Sequence, residues 1–112
     1  MKDDCIFCKI AAGQVPAPKL YEDDRVFAIK DIHPKAPVHV LIIPREHIPS
    51  LNELDGGHAG LVAHLMLLLP GIAREQGLKD GFRTIINTGR GGGQEIDHLH
   101  VHLLGGGRLP GF

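Results

Sequence analysis

The sequence has no surplus of positive charge: 12 Lys and Arg stand against 13 Asp and Glu over 112 residues. A chain without a basic field has no sequence-wide means of holding nucleic acid or an anionic membrane surface, so any anionic ligand must be gripped locally. Long apolar runs are missing too. The longest, Leu65 to Leu69, falls far short of the roughly 20 residues a helix needs to span a bilayer. Met1-Lys2-Asp3-Asp4-Cys5 lacks the apolar stretch of a secretory signal, and the expectation is a cytoplasmic protein with neither a membrane nor a nucleic acid as partner. Cysteine is scarce, at two residues, Cys5 and Cys8. Their C-x-x-C spacing suits metal ligation or a redox pair better than a structural disulfide in a reducing compartment. It opens the chain instead of following a strand, which favours zinc and leaves a redox or inert thiol pair as the alternative.

What remains is an ordinary globular composition, 43% apolar and 22% charged, of a size that supports one compact domain, residues 1–112. Histidine is the exception, with eight residues. Three of them fall at every second position in Asp97-His98-Leu99-His100-Val101-His102-Leu103-Leu104. A strand there puts all three imidazoles on one face and Leu99, Val101 and Leu103 on the other, a reaction surface backed by a core. Three polar rings on one face are costly to bury without partners, which argues for chemistry. His58 and His64 have no such pattern and read as ordinary histidines.

The rest of the chain supplies elements to carry that strand. Cys5 to Ala12 has helical texture and stops at Gly13. Leu20–Glu22 and Arg25–Ile29 read as a hairpin around Asp23-Asp24. His33-Pro34-Lys35-Ala36-Pro37 is a loop, since each proline holds its predecessor extended. A central strand follows over Val38–Ile43, with His39, Leu41 and Ile43 on one face and Val38, Val40 and Ile42 on the other. Leu61, Leu65, Leu68, Leu69 and Ile72 predict an amphipathic helix between Asp55 and Gln76, kinked or split at Pro70-Gly71. Phe82–Asn87 is the next strand. The glycine-rich loop Thr88–Gln94 then leads into the histidines, with angles open to it that would aim successive N–H groups into one phosphate-binding concavity.

His98-Leu99-His100-Val101-His102-Leu103-Leu104 matches the pattern His-φ-His-φ-His-φ-φ (φ, apolar) and resembles the motif of the histidine triad superfamily of nucleotide hydrolases and transferases. Asp31-Ile32, Ala36-Pro37-Val38-His39, Ile43-Pro44, His47-Ile48, Asn87 and Gly92-Gly93-Gln94 extend the likeness over nearly the whole chain, to the Hint branch. The resemblance implies an α+β fold: a five-stranded antiparallel sheet with one long and one short helix, joined in a homodimer with a ten-stranded sheet.

It also implies roles. His100 is the nucleophile on the α-phosphorus, and its neutral ring attacks through Nε2 when an acceptor holds Nδ1–H. His102 donates to the phosphate or leaving group, and His39 and His98 fix ring positions. Asn87, Gly93 and Gln94 donate to the phosphate. Asp31 matches the ribose-binding acid and Ile32 an apolar contact to the base. Glu95 stands where the best-known eukaryotic relatives carry a serine that assists the leaving group. Cys5, Cys8, His47 and His98 match a zinc ligand set. With no open position, one zinc per chain would be structural and catalysis would need no cofactor. The activity implied is hydrolysis of purine nucleoside phosphoramidates to nucleoside monophosphate and amine. Dinucleoside polyphosphate hydrolysis, nucleotidyl transfer, or a nucleotide-binding or protein-interaction module with incidental catalysis are the alternatives.

Overall fold

The computed structural model describes residues 4–111. Helix α1 spans Ile6–Ala11; the Cys5 sulfur caps it by accepting the Cys8 N–H, and Gly13, at φ +76°, ends it where a side chain would strain the backbone. Strands β1 (Lys19–Glu22) and β2 (Val26–Lys30) form the expected hairpin. Its turn is organised by Asp23, whose Oδ1 accepts the amides of Arg25 and Val26 while Oδ2 meets the Tyr21 hydroxyl and His64 Nε2. Burial alone would raise the Asp23 carboxyl, but those bonds outweigh it and hold the group far below the ordinary carboxylate range.

Strand β3 (Val38–Pro44) is central, β4 is Arg83–Ile85 and β5 is Val101–Gly105; the five strands run antiparallel in the order β1-β2-β3-β5-β4. Helix α2 (Ala59–Glu75) covers one face, where its Leu61, Leu65, Leu69 and Ile72 meet Val40, Ile42, Leu99, Val101 and Leu103. The other face carries Phe27, Ile29, Leu41 and Ile43 beneath Phe7 and Ile10 of α1. The two-residue alternation of β3 is therefore as the sequence predicts, and it sorts His39 onto the α1 side with Leu41 and Ile43. Arg45 locks α1 to the hairpin. Its guanidinium donates to the carbonyls of Ala11 and Asp23 and to Glu22, and lies 5.6 Å from the centre of the Phe27 ring.

Three expectations need correction. First, of the two forms expected at Pro70, a kink or a split, the split does not occur: α2 runs through Pro70 as one helix, and Pro70 lies on the exposed face, where water can satisfy the carbonyl it cannot bond. Second, regular pairing in the histidine segment begins only at Val101, so of the three imidazoles only His102 stands on a strand. Pro44 has no N–H with which to extend the ladder, and the amides of His98 and Leu99 turn instead to the carbonyls of Ile96 and Ile48. Third, β4 is shorter than Phe82–Asn87. The stretch Gly56–Glu75 is long and apolar enough to cross a bilayer by length and composition alone. Its inner stripe packs on the sheet, while Met66 and Leu67 (79% exposed) face outward.

Candidate active site

On the α1 side of the sheet a cavity of about 530 Å³ gathers residues from distant parts of the chain: Asp31, Ile32, His39, Asn87, Gly93, Glu95, His100 and His102 among them. Its floor and walls are largely apolar, from Ile6, Phe7 and Ile10 of α1 and Ile29, Leu41, Ile85, Ile96 and Leu104 of the sheet side. Ile32 is 86% exposed on the loop after β2, as suits a flat apolar contact waiting for a ligand.

The protonation of each imidazole follows from its partners. A carbonyl only accepts, so His100 Nδ1–H donates to the carbonyl of His98 at 2.7 Å, which leaves the Nε2 lone pair as the reactive one. The Lys35 amide donates to His39 Nδ1 at 3.1 Å, so the proton of His39 is on Nε2 and points to His102 Nδ1, 2.9 Å away. His102 in turn carries its proton on Nε2. Asp31 Oδ2 lies 3.4 Å from His39 Nε2, and its Oδ1 accepts the His33 amide. Asp31, His39 and His102 thus have the spacing of a metal site, but the Lys35 amide occupies the His39 Nδ1 lone pair and keeps the proton on Nε2, which makes the trio a hydrogen-bond relay instead. Burial chiefly, with His100 and His39 adding to it, lowers His102 to about 4; burial likewise lowers His39. Both rings are neutral near pH 7.

His98 is placed differently from the other two members of the triad. It is fully buried below the cavity, and its Nε2–H donates to the Pro44 carbonyl at 2.7 Å. Its contribution to the cavity is the carbonyl that orients His100. Its Nδ1 turns toward Cys5, Cys8 and His47, at 3.3 Å from Cys5 Sγ, 3.6 Å from Cys8 Sγ and 3.1 Å from His47 Nδ1; Cys8 Sγ is 3.2 Å from His47 Nδ1. All four ligand atoms lie within 4.8 Å of one another. Burial lowers His98 to about 4 and raises the Cys5 thiol, so a bare charge is disfavoured at both.

The glycine loop departs from the expected concavity. The amides of Gly92, Gly93 and Gln94 bond to the carbonyls of Gly89 and Arg90, so they are consumed inside the loop. Gln94 does not line the cavity: its Nε2 donates to the carbonyls of Pro49 and Ile96 and its Oε1 accepts the Gly89 amide. It is a brace for the loop, not a phosphate donor. Asn87 also reaches into the loop, to the Gly92 carbonyl, while still lining the cavity beside Gly93. Phe7, the Lys35 amide and the Pro44 carbonyl were not singled out by sequence. The Phe7 ring meets His98 and His100 edge-on, 5.7 and 5.1 Å between centres. Its place between the two cysteines of C-x-x-C was the available signal; the backbone groups left none. His58 and His64 are structural, one closing a capping box with Asp55 and the other paired with Asp23.

The family model described as scavenger mRNA decapping enzyme C-terminal binding matches residues 4–108. The chain is 52% identical over 103 residues to Protein HitA of Neisseria gonorrhoeae, covering 92% of this chain and 96% of that one. It is 43% identical over 107 residues to the purine nucleoside phosphoramidase of Escherichia coli K12, covering 95% and 90%. A solved histidine triad protein from Clostridium difficile superposes with a TM-score of 0.95 at 46% identity, over 100% of this chain and 98% of the other. With the His-φ-His-φ-His segment built around one cavity and these likenesses spanning the whole fold, the chain belongs to the histidine triad family.

Proposed function

We propose that this protein is a hydrolase of purine nucleoside phosphoramidates, acting through a nucleotidyl intermediate on His100. The observation that carries the reading is the bond from His100 Nδ1–H to the His98 carbonyl, which leaves Nε2 as the ring nitrogen available to attack in the cavity. In the first step Nε2 attacks the α-phosphorus, the P–N bond breaks, and the leaving nitrogen takes a proton to depart as amine. His102, neutral and with Nε2–H set by His39, hydrogen-bonds the departing group on that side of the ring, while the proton that the leaving nitrogen takes comes from solvent. As positive charge grows on the His100 ring, the His98 carbonyl stabilises it. Water then attacks the same phosphorus and releases the nucleoside monophosphate. Asp31 and Ile32 hold ribose and base; Asn87 and the backbone near Gly93 face the phosphate. The phosphoramidase relative supports this substrate class. Release of adenosine monophosphate and amine from an adenosine phosphoramidate tests it; absence of turnover would reject it.

The group of buried Cys5, Cys8 and His98 with half-buried His47 fits a structural zinc. Four of the six separations among the two sulfurs and two nitrogens are 3.1 to 3.6 Å and all lie within 4.8 Å, near the roughly 3.3–3.8 Å between ligands on one tetrahedral ion. His98 already has its proton on Nε2, so Nδ1 is free to ligate. Zinc there would supply no chemistry to the reaction; it would stabilise the Cys5 thiolate that burial otherwise disfavours and tie α1 to the active-site segment.

A homodimer completes the proposal. Among the described residues strand β4 is paired only with β5, and Met66 and Leu67 leave an apolar strip on α2 uncovered. A two-fold partner joined edge to edge at β4 would make ten strands and cover that strip.

A further inference from the structure

The charges lining the cavity are unevenly distributed. Both of its lysines, Lys30 and Lys35, belong to the segment that also carries Asp31, the nucleoside end. The lining contributed by the segment after β4 has no lysine or arginine among the described residues and one acid, Glu95. Asp31 is engaged by the His33 amide and His39, whereas Glu95 has no hydrogen bond or ion pair among the described residues, although it is exposed in the cavity that holds His100 and His102. An uncommitted carboxylate beside the groups that handle phosphate is unfavourable for binding an anion. It becomes an asset when the departing group brings hydrogen-bond donors or positive charge.

We propose that Glu95 selects the leaving group, accepting from the N–H of the scissile nitrogen, favouring amines that carry a further ammonium, and rejecting phosphate-anhydride leaving groups. The inference rests on the phosphoramidate reading above and narrows its substrate class. A carboxylate only accepts, so it pairs with the N–H that a P–N bond retains; a bridging anhydride oxygen offers only lone pairs, and the phosphates beyond it add like charge. Discrimination of this kind needs a repulsive element as well as an attractive one, and one charge supplies both. Glu95 touches the leaving group in this account, and the P–N cleavage itself stays with His100 and His102.

The test compares kcat/KM on three probes: an adenosine phosphoramidate of a neutral alkylamine, one of a diamine with a free ammonium, and diadenosine tetraphosphate. Wild type should prefer them in that ammonium, neutral, dinucleotide order. Glu95→Gln should bring the ammonium-to-neutral ratio close to one and lower the amine-to-dinucleotide ratio about tenfold or more. Ratios within one preparation cancel any loss of folded enzyme. Both ratios unchanged in Glu95→Gln would overturn the proposal while leaving phosphoramidase activity standing; a wild type that cleaves no phosphoramidate would instead overturn the reading beneath it. Should Glu95→Gln not fold, the wild-type ammonium-to-neutral ratio against ionic strength decides: a fall with salt supports the proposal and a flat response overturns it.

Discussion

The carbonyl of His98 holds the Nδ1–H of His100 at 2.7 Å, while the ring of the same His98 lies within 3.6 Å of both cysteine sulfurs. One residue thus joins the proposed nucleophile to the proposed metal centre. Its main chain serves the reaction and its side chain serves the fold, so damage to the thiol group should be felt first as lost stability. Protein purified without chelators is expected to hold close to one zinc per chain, and Cys8→Ser to lower the melting temperature more than it lowers kcat/KM. Elemental analysis without zinc, or a variant with native melting and abolished turnover, would contradict this.

His39 acts through another ring. It receives the Lys35 amide and gives Nε2–H to His102, and His39→Ala removes the bond that fixes the His102 proton on Nε2. Hydrogen bonding to a departing group is worth roughly 10²-fold, and kcat for this variant is expected to fall by about that factor with KM for the nucleotide portion little changed. Steady-state kinetics on one phosphoramidate check it, and a native kcat would show that the relay is idle.

The buried neutral state of His102 has a consequence for pH. The unfolded ring takes up its proton near 6.5, while the folded ring resists down to about 4. Between those values the unfolded chain binds the extra proton, so folding stability should be level above about pH 7 and decline as pH falls through that window. His39 adds to the effect in the same direction. Urea midpoints measured from pH 8 to 4 should show the decline, and His102→Asn should make it shallower.

Much of this was legible in the chain. The alternation of Val38–Ile43 and of the histidine segment sorted residues onto the correct faces, because burial on both sides of a sheet enforces a period of two. Cys5, Cys8, His47 and His98 were matched to one group through resemblance, and the fold brings them together. What could not be read was backbone bonding. Nothing in a run of glycines says whether its amides face outward or close on Gly89 and Arg90, and nothing in Gln94 says that its side chain reaches the Pro49 carbonyl from a segment 45 residues away. Whether Pro70 would split the helix or leave it whole was hidden for a similar reason. Its penalty depends on whether the carbonyl it abandons is exposed, which is a property of the packed helix.

Gln94 offers a test of that loop. Gln94→Ala removes hydrogen bonds to Gly89, Pro49 and Ile96, and stranded partly buried groups cost about 1–3 kcal/mol. Denaturant unfolding should show a loss of that order, with activity reduced because Asn87 and Gly93 lose their support. An unchanged midpoint would return Gln94 to a direct role at the phosphate.

Leu67 tests assembly. Leu67→Glu places a charge on the uncovered strip of α2, and light scattering should show the wild type as a dimer and the variant shifted toward monomer. A monomeric wild type would reject the ten-stranded sheet.

The most direct measurement of the central claim is intact-mass spectrometry of enzyme quenched in acid during turnover of an adenosine phosphoramidate, followed by peptide mapping. The account predicts an adenylyl adduct on His100 in the wild type and none in His100→Ala, which should have lost turnover while staying folded. Sustained turnover with no adduct at any quench time, or near-native activity in His100→Ala, would contradict it.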